Sequence, residues 1–165
     1  MPDVLRIAST LALTLALAGC KDGSATAASA SDGMLLSPYL AIGDSLAADT
    51  LDGLDKFGAA VVEAADGKAG QAGVSKLLQG AGRVGAQDIA TARSAYKTMS
   101  AGMIDYLKAN PDKQAGHMIV HCTMTFDGKG GLWVQKEGQV MNPYEGAMML
   151  HCGDKLDWDA ALPET

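Results

Sequence analysis

The sequence predicts an α+β chain that is mostly α: a small helical bundle with two long helices, an attached β-hairpin and a short C-terminal helix. Apolar residues recur at three- and four-residue steps over residues 37–66 and again over 85–109, the spacing of one helix face. From Met118 onward the period falls to two and a glycine-rich turn follows, which is the pattern of a hairpin.

The chain opens with Met1 and Arg6 before an apolar run from Ile7 to Gly19. As a helix rising 1.5 Å per residue that run is roughly 20 Å long, too short for a hydrocarbon core of about 30 Å. A short charged start, an apolar centre and small residues at the exit describe a secretory signal over residues 1–19. The exit, Leu17-Ala18-Gly19-Cys20, resembles the bacterial lipobox. The resemblance implies cleavage before Cys20 and acylation of its thiol and new amine. Several acyl chains, at about 0.8 kcal/mol per buried methylene, hold more firmly than one. Lys21 rather than Asp after the cysteine favours the outer membrane over the inner, by analogy with enteric bacteria, with the chain facing the periplasm.

Small polar residues dominate the next stretch, so 20–36 reads as a lipidated flexible tether, followed by one soluble domain over 37–158 and a tail over 159–165. The net charge is −6, and removing residues 1–19 takes one Asp and one Arg and leaves it unchanged. An acidic chain without a basic cluster is a poor partner for nucleic acid or anionic lipid.

Within the domain, Leu40, Gly43, Ala47, Leu51, Leu54, Gly58, Val61 and Ala65 form the first stripe, with Ser37 as N-cap, Pro38 at the first helical position and Gly67 as the stop. Val74 to Gln79 fits a short helix among glycines. Ile89, Ala92, Tyr96, Met99, Met103 and Leu107 form the second stripe, ended by Asn110-Pro111. Met118, Val120, Cys122 and Met124 alternate on one strand face; Asp127 to Gly131 is a turn, and Leu132-Trp133-Val134-Gln135 returns. Because an isolated hairpin is marginal in water, it should pack on the helices. Asn142 as N-cap, Pro143 after it and Glu145 three residues on describe a last helix, closed by Gly153. On such a helix Met148 and Met149 would lie one turn before Cys152 on a shared side.

Soft ligands crowd this last third. Cys122 and Met124 sit two apart on a strand, Met148, Met149 and Cys152 would share a helix side, and His117, His121 and His151 fall nearby. Thiolate and thioether donors favour Cu(I), and Ag(I) should behave likewise. The expected site is therefore Cys122, Met124, Met148 and Cys152, with Met149, His121 and His151 as further donors. The rival reading is a structural disulfide. Of three cysteines lipidation takes Cys20, and Cys122 with Cys152 would close a loop of about 30 residues worth roughly 3–4 kcal/mol. Methionine is also an ordinary core filler. A structural zinc site lacks its Cys and His spacing, and Asp44, Asp49, Asp52 and Asp55 read as a solvated helix face. His121 adjoins Cys122 on a strand, so it should point to the opposite face and not activate the thiol. The chain does not read as an enzyme.

Cys-Thr-Met at 122–124, Gly-Leu-Trp-Val-Gln at 131–135 and Asn-Pro-Tyr-Glu-Gly-Ala-Met-Met-Leu-His-Cys-Gly at 142–153 resemble an envelope domain of unknown function. That domain occurs at the C-terminus of copper/silver-efflux periplasmic adaptor proteins and as free-standing exported proteins. Ala47-Ala48-Asp49, Ala92-Arg93 and Met99-Ser100 look like its helical landmarks. The resemblance implies that Cys122, Met124, Met148 and Cys152 occupy positions suspected of heavy-metal contact. Trp133, Asn142, Pro143, Tyr144 and Gly146 would be scaffold. Thr123 stands where the family has proline. The expected function is a soft-metal-binding lipoprotein of copper homeostasis or efflux, with an efflux adaptor or metallochaperone as partner. The alternative is a non-catalytic interaction module stapled by Cys122–Cys152.

Overall fold

The computed structural model describes residues 24–165, with side chains from Leu35 onward. The expected signal over 1–19 and the expected lipidation site at Cys20 lie outside the described residues. Four helices come first: α1 (Ser24–Ala47), α2 (Leu54–Ala64), α3 (Val74–Ala81) and α4 (Ile89–Ala109). The strands follow: β1 (His117–Cys122), β2 (Gly131–Lys136) and β3 (Asp154–Leu156), with a single turn, α5 (Thr125–Gly128), between the first two. The class is α+β and mostly α, as expected, and the hairpin is present. Among the described residues no helix is long and apolar enough to cross a membrane.

α1 begins inside the segment read as tether, and Leu35 and Leu36 already belong to the core. The stripe read as one helix over 37–66 is divided between α1 and α2. α1 stops because Asp49 takes a left-handed conformation (φ 56°), with Thr50 N–H donating to Ser45 O and Asp49 N–H to Leu46 O. This is a Schellman ending with Asp in the place usually held by Gly. The chain then turns, and Gly53, also left-handed, starts α2 in a new direction. The break also changes the buried face of α1, which is Leu35, Tyr39, Ile42 and Leu46 rather than a face centred on Leu40 and Gly43.

α4 lies in the middle, against α1, α3 and β2. Asp88 caps it, its carboxylate accepting from Thr91 N–H at 2.8 Å, so the helix starts at Ile89, four residues later than the start expected at Gly85. α3 approaches α4 closely. A Cβ at Gly102 would stand 2.5 Å from Gly73 O and 2.7 Å from Leu77 N, so the backbones touch where a side chain would hold them apart.

β1 is the middle strand of an antiparallel sheet ordered β2-β1-β3, with Cys122 opposite Gly131 and His121 opposite Asp154. Met118, Ile119, Val120 and Cys122 are all buried, so both faces of β1 are covered. Tyr39 on α1 accepts from Val134 N–H of β2 at 3.0 Å and shares a hydrogen bond with Ser100 Oγ of α4 at 2.9 Å. Tyr144 donates to Leu132 O of β2. Burial pushes the Tyr39 hydroxyl above its ordinary value, and those of Tyr96 and Tyr144 well above it, so all three stay protonated. Their rings join α1, α4 and β2: Tyr39 stacks on Tyr96 at 4.9 Å, and Trp133 meets Tyr144 edge-on at 5.7 Å.

The expected C-terminal helix does not form. Asn142 does act as a cap, its Oδ1 accepting from Tyr144 N–H at 2.9 Å and Glu145 N–H at 3.2 Å. Propagation fails at Gly146, which is left-handed (φ 56°), leaving only a 3-10 turn over Gly146–Met148. The next amide, Ala147 N–H, donates to Asp49 Oδ2 at 2.8 Å instead of to a helical carbonyl. After Cys152 the chain forms β3, a strand unmarked by the sequence pattern. Packing continues past residue 158, since Lys108 Nζ donates to Ala160 O and Leu162 lies against the core.

Candidate functional site

Cys122 and Cys152 are joined in a disulfide, with Cα atoms 5.7 Å apart and a sequence separation of 30. Each end is set by its own strand. Cys122 closes β1 against Gly131 of β2, and Cys152 stands two residues before Asp154, the first residue of β3. The two sulfurs expected to share a point do so, although Cys152 arrives on an irregular segment rather than on a helix. Cys122 is 1% exposed and Cys152 is half-buried.

The methionines divide into two groups. Met99, Met103 and Met118 are buried core. Met124 is 61% exposed, Met141 39% and Met148 80%, and with Val62 they are the exposed large hydrophobic side chains of the described residues. Met149 is half-buried and precedes a tight turn in which Cys152 N–H donates to its carbonyl at 2.9 Å. Without the helix, Met148, Met149 and Cys152 do not share a helical side, which removes the spacing argument that grouped them.

His151 and His121 are engaged by other contacts, whereas the Nδ1 of His117 is buried without a hydrogen-bond partner. His151 is exposed, and its Nδ1 lies 2.7 Å from Val140 O; since a carbonyl only accepts, Nδ1 carries the proton. Its Nε2 then accepts from Gln139 Nε2 at 3.3 Å, so metal binding there would displace that contact. His121 is half-buried and packs over Gly130, where a Cβ would come 2.8 Å from Nε2. As the neighbour of Cys122 on a strand it belongs to the opposite face. Among the described residues no three His, Cys, Asp or Glu side chains converge as a metal cluster.

Three polar side chains, through contacts that the sequence pattern did not reveal, hold the disulfide segment in place. Fully buried Asn142 donates from Nδ2 to Cys152 O at 3.0 Å. Gln135 accepts from Trp133 Nε1 at 3.0 Å and Met141 N–H at 3.1 Å, and donates to Gln139 O at 2.9 Å, locking strand β2 to residues 139–141. Arg93 on α4 donates to Pro143 O, Leu46 O and Asp49 Oδ1, the last at 2.6 Å. Asp49 thus joins the end of α1, α4 and the Ala147 amide, while it stays exposed like Asp44, Asp52 and Asp55. The Ala147 amide, then the Arg93 hydrogen bond, hold its carboxyl below the ordinary range. A side chain at Gly146 would run into that carboxylate.

No protein-family model, curated protein or solved structure matches this chain.

Proposed function

We propose that this chain is a periplasm-facing lipoprotein whose C-terminal lobe binds a soft metal ion, Cu(I) or Ag(I), as cargo in copper homeostasis or efflux. One observation carries the reading. Cys122 and Cys152 meet at a single point, and the methionines exposed among the described residues, Met124, Met141 and Met148, all fall in the segments leading to it. A methionine on a surface gives up the burial that normally explains it, while its thioether stays open to a soft ion. In the reduced chain Cys122 and Cys152 supply thiolates and Met124 and Met148 thioethers, with Met149, His121 and His151 as further donors. The protein holds the ion and passes it to an efflux adaptor or metallochaperone, with the membrane reached through the lipid on Cys20. Resemblance of the 122–153 segment to the copper-efflux-associated domain supports the same reading.

The closed disulfide favours a second reading, a non-catalytic interaction module in which Cys122–Cys152 is a staple. A Cu(I) competition titration against a chromogenic chelator separates the two. It compares reduced and oxidised chain, Cys122→Ser/Cys152→Ser and Met124→Leu/Met148→Leu. The expected result is one-to-one binding by reduced wild type, lost in the cysteine variant and weakened about tenfold or more in the methionine variant. No competition by any form would leave the staple.

A further inference from the structure

We propose that Cys152 is a site of thiol–disulfide exchange, where an external dithiol opens the bond to Cys122, and that the released thiols remain side by side. The exchange does not depend on metal binding.

Attack on a disulfide requires a thiolate to approach one sulfur in line with the bond, so access selects the sulfur. Cys122 is enclosed, while Cys152 lies on an irregular, half-buried segment at the surface. The departing charge argues the other way, because a thiolate released at buried Cys122 is poorly solvated. Enclosure decides, since an attacker that cannot reach Cys122 gains nothing from the better leaving group. In the first step the reductant's thiolate bonds to Cys152 Sγ, the Cys122–Cys152 bond breaks, and Cys122 Sγ leaves with the electron pair and takes a proton. In the second the reductant's other thiolate attacks its own sulfur in the mixed disulfide and Cys152 leaves, likewise to be protonated. Two electrons and two protons pass to the protein, and the dithiol becomes a disulfide.

The thiols stay together because neither position depends on the bond alone. Cys122 is paired to Gly131, and its carbonyl accepts from Thr125 Oγ1 at 3.3 Å. Cys152 is held by Asn142 Nδ2 on its carbonyl and by its own amide on Met149 O. Just beyond it, β3 pairs with β1 at His121–Asp154, Val120–Lys155 and Ile119–Leu156. Reduction therefore yields a preformed dithiol rather than two loose ends.

The test treats the full chain in detergent with glutathione, quenches in acid and maps the adduct by mass spectrometry. The expected adduct lies on Cys152 at least about tenfold more often than on Cys122. An equal split, or an excess on Cys122, overturns the assignment. In parallel, fully reduced chain should keep its near-UV circular dichroism and reoxidise within single molecules on removal of the reductant. Loss of that signal, or reoxidation mainly between molecules, overturns the preformed pair. A failed copper titration changes neither readout, so the two proposals fail separately.

Discussion

Residues 35–109 and residues 117–158 are held in place by different physics. The helical part is organised by apolar burial: Leu35, Ile42, Leu46, Leu54, Val61, Leu77, Met99, Met103 and Leu107 are all enclosed, and each is one of many. The C-terminal part has a smaller apolar share and relies on single residues with several partners each. Asn142 meets two amides and a carbonyl, Gln135 makes three contacts that tie β2 to residues 139–141, and Arg93, reaching across from α4, meets three acceptors. A redundant interior tolerates exchange of one apolar group for another, whereas a node with three partners does not. The comparison shows a platform built by area and a candidate site built by contacts.

The sharpest break of the platform is Leu77→Ala, which leaves a cavity at the α3–α4 contact and should cost about 3 kcal/mol. Chemical denaturation should show both parts unfolding in one transition, because the sheet has no support without α4. Separate transitions would mean that the C-terminal part folds alone. Removing the cross-link by Cys122→Ser/Cys152→Ser should cost about 3 kcal/mol, from the freedom returned to a loop of some 30 residues in the unfolded chain. The same denaturation experiment reads it. Asn142→Ala should cost about 2 kcal/mol, since it strands buried amides and a carbonyl. Hydrogen exchange should place its effect in residues 140–156 and leave α2 and α3 protected.

The smallest effect is expected from Asp49→Asn, about 1 kcal/mol near neutral pH, because the carboxylate is 42% exposed and solvent screens its pairing with Arg93. Asn tolerates the left-handed conformation, so the change isolates charge from backbone strain. The folded carboxyl titrates below its ordinary value, so its contribution is full above the unfolded pKa of about 3.9 and is lost as pH falls through the lower, folded one. Melting curves of wild type and variant should therefore differ at pH 6 and converge as the acid titrates. A gap that persists at the lowest pH would assign the effect to geometry instead.

Most of the helical platform was legible in the sequence, because burial writes itself as a period. α3, α4 and the β1–β2 hairpin lie close to where spacing and turn residues place them. The split between α1 and α2 was not legible, because an Asp did what Gly usually does and the apolar spacing carried on across the break. The expected C-terminal helix failed for a complementary reason. Asn142, Pro143 and Glu145 are genuine start signals, but the amide that should have continued the helix was taken by Asp49, 98 residues away in sequence. Local signals do not reveal such a partner. The meeting of Cys122 and Cys152 was foreseeable as a pair; the buried amide that positions Cys152 was readable only as a cap.

The two tyrosine hydroxyls on β2 have one more consequence. β2 lies at the border of the sheet, where unpaired N–H and C=O groups invite a strand from another molecule. Tyr39 occupies the outward amide of Val134, and Tyr144 the outward carbonyl of Leu132. On the other border β3 is only three residues long and carries Lys155 paired with Glu137. Both borders are thus blunted as templates for a strand from a neighbouring copy.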